Sequence, residues 1–343
     1  MRFGLVGTGR STETYALAFE RLAALGIAEV AGVVDGHAGA QELAERLGCP
    51  SFSSHEEMSA AYGLDAAVLC TTPAAYAEIA LHFLRRRVHV LCEKPLRIDA
   101  GSARRMADEA GASDALLTMG SKFLFVGDVA AAGRLVAAGA IGEIVQAESC
   151  FASWVDMEAQ GSSAPVPRDG GVLADDGCHA IDLMRFFLGP LVDVQIVEGA
   201  RRQGLAVEEN VRLFVRNSRG VLGSIDLSWS VGKESDSYFT LYGTEGTLHL
   251  GWRESRYRPA TSPYWTLFGT GYDKVRAFQL QIENFARAIR GEERLRIPME
   301  HALSSIEVID AAYHALRSSR WTPVAADPGL LRQPGPLVQA AEG

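Results

Sequence analysis

Five short apolar runs, separated by segments of helical period, fill the first third of this chain. The runs are Arg2–Val6, Ala28–Asp35, Ala66–Cys70, Val88–Cys92 and Ala115–Met119. Helical patterns fall between them, at about 12–25, 39–47, 55–62, 74–87 and 99–111. Runs that are apolar throughout suit parallel strands covered on both faces. Their alternation with helices predicts an α/β fold, a doubly wound parallel sheet.

The pattern changes after residue 120. A helix near 126–138 is followed by Gly142-Glu143 and a long strand ending near Asp156. A loop rich in Gly, Ser and Pro spans 157–171, and a helix is expected at about 175–188. Strands then read at 192–200, 207–216, 221–230, 237–243 and 247–252, parted by turns such as Asn217-Ser218-Arg219-Gly220 and Gly243-Thr244-Glu245-Gly246. This predicts an α+β domain with an open, mostly antiparallel sheet arranged as a meander. Helices at about 274–290 and 299–317 come last. The expected domains are 1–120, 121–325 and a loosely held tail, 326–343. The alternating run Ile225, Leu227, Trp229 fits packing against another subunit, and equally burial under the domain's own helices.

Composition narrows the function. At 343 residues, 48% of them apolar, the chain fills two ordinary cores. No stretch approaches the roughly 20 apolar residues of a membrane span. Met1–Gly7 is too short for the apolar region of a secretory signal, so a cytoplasmic location is expected. The net charge of −9 argues against nucleic acid as a partner. The basic run Arg85-Arg86-Arg87 closes a predicted helix, where cations complement the dipole. Cys49, Cys70, Cys92, Cys150 and Cys178 lack metal-ligand or disulfide spacing and read as small hydrophobes in a reducing compartment, so no metal is expected.

The first strand runs directly into Gly7-Thr8-Gly9-Arg10-Ser11-Thr12, which opens the first helix. In a dinucleotide-binding turn the first glycine makes the bend. The second lets the backbone approach a pyrophosphate resting on the helix N-terminus. Thr12 stands where the fingerprint has Gly or Ala, which sets the helix slightly away from the strand. Asp35 ends the second strand, where a carboxylate accepts from both adenosine ribose hydroxyls and repels a 2′-phosphate. NAD is therefore expected over NADP.

Cys92-Glu93-Lys94-Pro95 stands at the end of the predicted strand Val88–Cys92, and ligands of open α/β sheets lie at the carboxyl ends of strands. A lysine fixed there orients a hydroxyl and stabilises a developing alkoxide. Further on, Gly170-Gly171 leads into Asp175, His179 and Asp182, which share one helical face at i, i+4 and i+7. A histidine flanked by carboxylates suits proton transfer near neutral pH, and equally a histidine held by structural aspartates.

The glycine turn with Asp35, the Glu93-Lys94-Pro95 motif and Asp175-x-Gly177-x-His179-x-x-Asp182 resemble the glucose–fructose oxidoreductase / inositol dehydrogenase / rhizopine catabolism (Gfo/Idh/MocA) family. Thr71-Thr72-Pro73, Gly139-x-Ile141-Gly142-Glu143-Ile144 and Phe278–Ile289 extend the resemblance over residues 1–325. It implies an NAD-binding Rossmann domain, a substrate and oligomerisation domain, and hydride transfer between NAD(P) and a sugar or cyclitol carbinol. Lys94 would then contact the reacting hydroxyl and the nicotinamide ribose. His179 would be the general acid/base, and Asp175 would orient the substrate or His179. Asp182 is expected to support them, with Trp154 and Arg168 as candidate substrate contacts. Candidate cofactor residues are Gly7, Gly9, Arg10, Ser11, Thr12, Asp35, Thr71, Thr72, Pro73, Tyr76, Glu93, Lys94 and Lys122. An open antiparallel sheet that is not a catalytic wall often packs against another subunit, so a homodimer or homotetramer through the C-terminal sheet is expected.

The chain departs from the family pattern in two places. Ala74-Ala75-Tyr76-Ala77 replaces the usual Asn and His after Thr-Pro, leaving Tyr76 to stack or hydrogen-bond there. Lys122 stands in Gly120-Ser121-Lys122-Phe123, to reach the substrate or carboxamide or to mark the domain junction. The loop 157–171 and the segment Tyr257–Tyr272, with Trp265, are expected to shape specificity. Two other functions fit the same residues. One is an NAD-dependent glycosidase working by transient oxidation, which would release sugar without net NADH. The other is a non-catalytic NAD-binding regulator, which would need no proton relay.

Overall fold

The computed structural model describes residues 1–7, 9, 11–35, 39–61, 63–71, 73–94, 100–157 and 170–324. The chain divides into two compact units: Met1–Lys122 with Lys274–Leu303, and Phe123–Asp273 with the chain from Ser304 onward. Among the described residues, no helix is long and apolar enough to cross a membrane.

The first unit is built on six parallel strands in the order β3-β2-β1-β4-β5-β6. They are β1 (Arg2–Val6), β2 (Glu29–Val34), β3 (Ser51–Phe52), β4 (Ala66–Leu69), β5 (His89–Cys92) and β6 (Leu117–Met119). Helices α1 (Thr12–Ala24), α2 (Gly39–Leu47), α3 (His55–Ala61), α4 (Pro73–Leu84) and α5 (Ala100–Ser113) connect them. The strand order reverses between β1 and β4, and ligands of open α/β sheets bind beyond the carboxyl ends at that point. The two-residue β3 is too short to leave a periodic signal. A later helix also belongs to this unit: α9 (Lys274–Ile289), which the sequence reading grouped with the second domain. Its Phe278, Ile282, Phe285 and Ala286 complete a core with Phe3, Leu5, Tyr15 and Phe19.

The second unit holds α6 (Gly127–Ala137), β7 (Ile144–Ala152), α7 (Val172–Asp175), α8 (Gly177–Leu188), β8 (Leu191–Glu198), β9 (Asn210–Asn217) and β10 (Leu222–Ser228). The sheet continues through β11 (Ser237–Gly243), β12 (Gly246–Gly251), β13 (Ser255–Pro259), β14 (Thr266–Gly269) and β15 (Thr322–Pro323). Helix α10 (Met299–Ser318) carries the chain across the division after Leu303.

The strand order is β14-β13-β12-β11-β7-β10-β9-β8-β15. Instead of one meander there are two, β8–β10 and β11–β14, flanking β7, which pairs parallel with β10 and antiparallel with β11. The expected specificity segment 257–272 thus contributes part of β13 and the edge strand β14.

Ile225, Leu227 and Trp229 are buried within the unit, and Leu227 lies against the start of α8 at Gly177. Of the two open readings of that run, burial under the unit's own helices holds. The opposite face of the sheet shows Val197, Phe214 and Leu222 to solvent. Ion pairs Arg212–Asp226, Lys233–Asp226 and Arg216–Asp193 lie among them.

Candidate active site

The turn after β1 is packed against backbone, which explains both glycines. Gly7 has φ +93°, and a Cβ there would lie 2.7 Å from the Cys70 carbonyl carbon and the Thr71 nitrogen. A Cβ on Gly9 would lie 2.7 Å from the Cys70 carbonyl oxygen. Gly7 N–H donates to the Val34 carbonyl at 2.7 Å, tying the turn to the end of β2 beside Asp35. Thr12, the residue that departs from the fingerprint, is buried, and its hydroxyl donates back to the Gly7 carbonyl at 3.2 Å. The threonine is thus accommodated by bonding to the turn. Two glycines in close contact with neighbouring backbone, just before the N-terminus of a 13-residue helix, suit the close approach of a pyrophosphate. These residues fit a dinucleotide, and Asp35 directly follows β2 beside the turn.

Glu93 and Lys94 follow β5. Glu93 is 2% exposed; its Oε2 accepts the Lys94 backbone N–H at 2.8 Å, and its Oε1 accepts the Tyr15 hydroxyl at 3.0 Å. Gln281 of α9 donates to the Tyr15 oxygen at 3.3 Å. Gly120 leaves room for the carboxylate, since a Cβ there would meet Glu93 Oε1 at 2.7 Å. Burial raises the Glu93 carboxyl above its ordinary range, while the charges of Lys122 and then Lys94, with the two hydrogen bonds, pull it back. Lys122 lies with its ammonium 5.8 Å from the Phe278 ring centroid. Tyr76 is buried, and burial first, then the Glu93 charge, raises its phenol. The structure thus gathers Glu93, Lys94, Lys122 and Tyr76 in the first unit. Tyr15, which organises them, was not singled out in the sequence; its signal was a polar tip inside the buried stripe of α1.

In the second unit the expected helix over 175–188 is broken. Asp175 ends the single turn of α7, Asp176 joins the helices, and His179 and Asp182 lie on α8. Glu208 fixes the start of α7: its Oε1 accepts Gly171 N–H at 3.0 Å, Leu173 N–H at 3.3 Å and the Tyr313 hydroxyl at 2.8 Å. Gly171 has no room for a Cβ against the Glu208 carbonyl. Asp176 accepts the Trp229 indole N–H at 3.1 Å, anchoring the joint to the sheet. Asp175, His179 and Asp182 are all buried. Asp182 Oδ1 accepts the Ser305 hydroxyl at 2.6 Å, and Arg185 donates to the same serine at 2.8 Å. Trp154 is exposed and bridges Ser230. Arg10, Thr72 and Arg168 lie outside the described residues, as does the tail.

Among the described residues, His55, Glu56 and His82 bring possible metal-ligand atoms within 4.8 Å of one another. The Arg86 guanidinium stands 3.2 Å from His82 Nδ1, and a fixed cation there opposes a metal ion.

A family model described as an oxidoreductase family with an NAD-binding Rossmann fold matches residues 1–121, and the Gfo/Idh/MocA C-terminal domain matches residues 129–249. The chain belongs to the Gfo/Idh/MocA oxidoreductase family. It is similar to inositol 2-dehydrogenase of Rhizobium meliloti (strain 1021), at 24% identity over 95% of this chain and 99% of that protein. It shares a fold with levoglucosan dehydrogenase solved with NADH and levoglucosan (TM-score 0.85, 18% identity, covering 95% of this chain and 100% of that one). The same holds for the WlbA dehydrogenase of Bordetella pertussis solved with NADH and UDP-GlcNAcA (TM-score 0.81, 21% identity, covering 95% and 99%).

Proposed function

We propose that this protein is an NAD-dependent dehydrogenase or reductase acting on a secondary alcohol of a sugar, cyclitol or sugar-containing glycoside. The observation that carries the reading is Lys94, pinned through its backbone to buried Glu93 at the carboxyl end of β5 in an NAD-binding unit. Relatives named for inositol and levoglucosan oxidation support the substrate class.

When bound, nicotinamide supplies the two-electron acceptor or donor. The turn at Gly7, Gly9 and Thr12 holds the pyrophosphate, Asp35 accepts from the adenosine ribose and favours NAD over NADP, and Thr71 and Lys122 line the same binding surface. Lys94 donates to the reacting hydroxyl oxygen and lowers the energy of its alkoxide. His179 takes the proton from that oxygen, and returns it in the reverse direction. Asp175 orients the base or the substrate. Asp182, bonded to Ser305, acts through the position of α8. The exposed apolar residues on the outer sheet face support a homodimer or homotetramer, which light scattering of the purified protein tests.

Screening sugars, cyclitols and glycosides for NADH formation tests the reading. An alcohol oxidised by wild type and not by Lys94→Ala supports it. Release of free sugar without net NADH would favour transient-oxidation glycoside cleavage instead.

A further inference from the structure

The surroundings of His179 in the second unit are aromatic. Phe123 lies 5.0 Å from the imidazole, centroid to centroid, and Phe151 lies 6.3 Å away. Phe123 stacks parallel on Tyr272 at 4.7 Å and contacts Phe151 and Tyr238 at 5.0 and 5.2 Å. Trp252 packs its ring against all four, at 5.0 to 6.1 Å. Phe123, Phe151 and Tyr238 are buried, whereas Trp252 stays 37% exposed. A continuous run of rings therefore leads from the base to an indole that faces solvent.

This wall is fixed by its backbone. Tyr272 N–H donates to the Trp252 carbonyl at 3.1 Å, and Gly271 N–H donates to Asp128 Oδ2 at 2.8 Å. Gly271 has φ +87°, and a Cβ there would lie 2.6 Å from the Trp252 carbonyl oxygen. A surface so held loses little freedom when a ligand docks. It offers that ligand mostly hydrocarbon and π-face. A hydroxyl pressed against it sheds water and gains few partners.

We propose that Trp252, backed by Phe123 and Tyr272, is a subsite for an aryl group carried by the cyclic alcohol beside its reacting carbinol. The inference rests on the reading of His179 as the base, and it narrows the substrate from polyols in general to hydrophobically substituted ones.

The test uses the full chain with NAD and matched free, methyl and phenyl forms of gluco-, galacto- and xylopyranosides. NADH formation and calorimetric binding are measured separately. The phenyl form is expected to bind or turn over about tenfold better than the methyl form, as one stacked ring provides. That ratio falls to about one in Trp252→Ala and survives in Trp252→Phe, with NADH binding intact in both. No phenyl preference anywhere in the panel, or a preference that persists in Trp252→Ala, overturns the subsite. A Trp252-dependent preference in binding without NADH from any alcohol keeps the subsite and sinks the dehydrogenase reading. NADH from free sugars without phenyl preference does the reverse.

Discussion

The Tyr15 hydroxyl donates to Glu93 Oε1 at 3.0 Å, so a residue on α1 holds the carboxylate that holds the backbone of Lys94. The ring of Tyr15 packs edge-on against Phe278 at 4.7 Å, so Tyr15→Phe keeps the packing and deletes only the hydroxyl, with its bonds to Glu93 and Gln281. A buried carboxylate oxygen left short of a partner costs about 1–3 kcal/mol. Urea unfolding of Tyr15→Phe should show a loss of that order, and an unchanged midpoint would mean the bond contributes nothing.

Gly9→Ala places a methyl group 2.7 Å from the Cys70 carbonyl, in rigid backbone rather than a movable side chain. Fluorescence titration with NADH should show affinity weakened by about tenfold or more, the equivalent of about 1.4 kcal/mol. Wild-type affinity would show that the turn has slack the packing denies.

Asp35 is assigned the discrimination between cofactors. Wild type should use NAD at least about tenfold better than NADP by kcat/KM, and Asp35→Ser should erase most of that ratio. Equal use of both cofactors by wild type contradicts the role.

On the outer face of the second sheet, burial raises the Asp226 carboxyl, but Lys233 and Arg212 outweigh it and hold it below the ordinary range. A depressed carboxyl stabilises the fold above its unfolded pKa of about 3.9, and that contribution disappears as pH falls through the lower folded value. The Tm gap between wild type and Asp226→Asn should be widest near neutral pH and close in acid. It should be small, because both cations are half-exposed. A gap that widens in acid would contradict the sign.

Most of the first unit was legible because parallel strands and their helices leave periodic patterns at every step. β3, β13, β14 and β15 were not, being short or at sheet edges where neighbours, not their own sequence, decide pairing. The break at Asp176 escaped as well: 175, 179 and 182 keep helical spacing, and only Glu208 and Trp229, distant in sequence, show where the turn stops. Lys94 and His179 carried a signal in their motifs. The rings around His179 did not, because Phe123, Phe151, Tyr238, Trp252 and Tyr272 come from five separate segments that only the fold assembles.

The central claim is that His179 moves the hydroxyl proton. It is tested most directly by the steady-state kcat of His179→Ala, on whichever alcohol wild type oxidises best, alongside its NAD affinity. The predicted result is a fall of about 10²–10⁴-fold in kcat with cofactor affinity kept. A kcat near that of wild type would contradict the assignment.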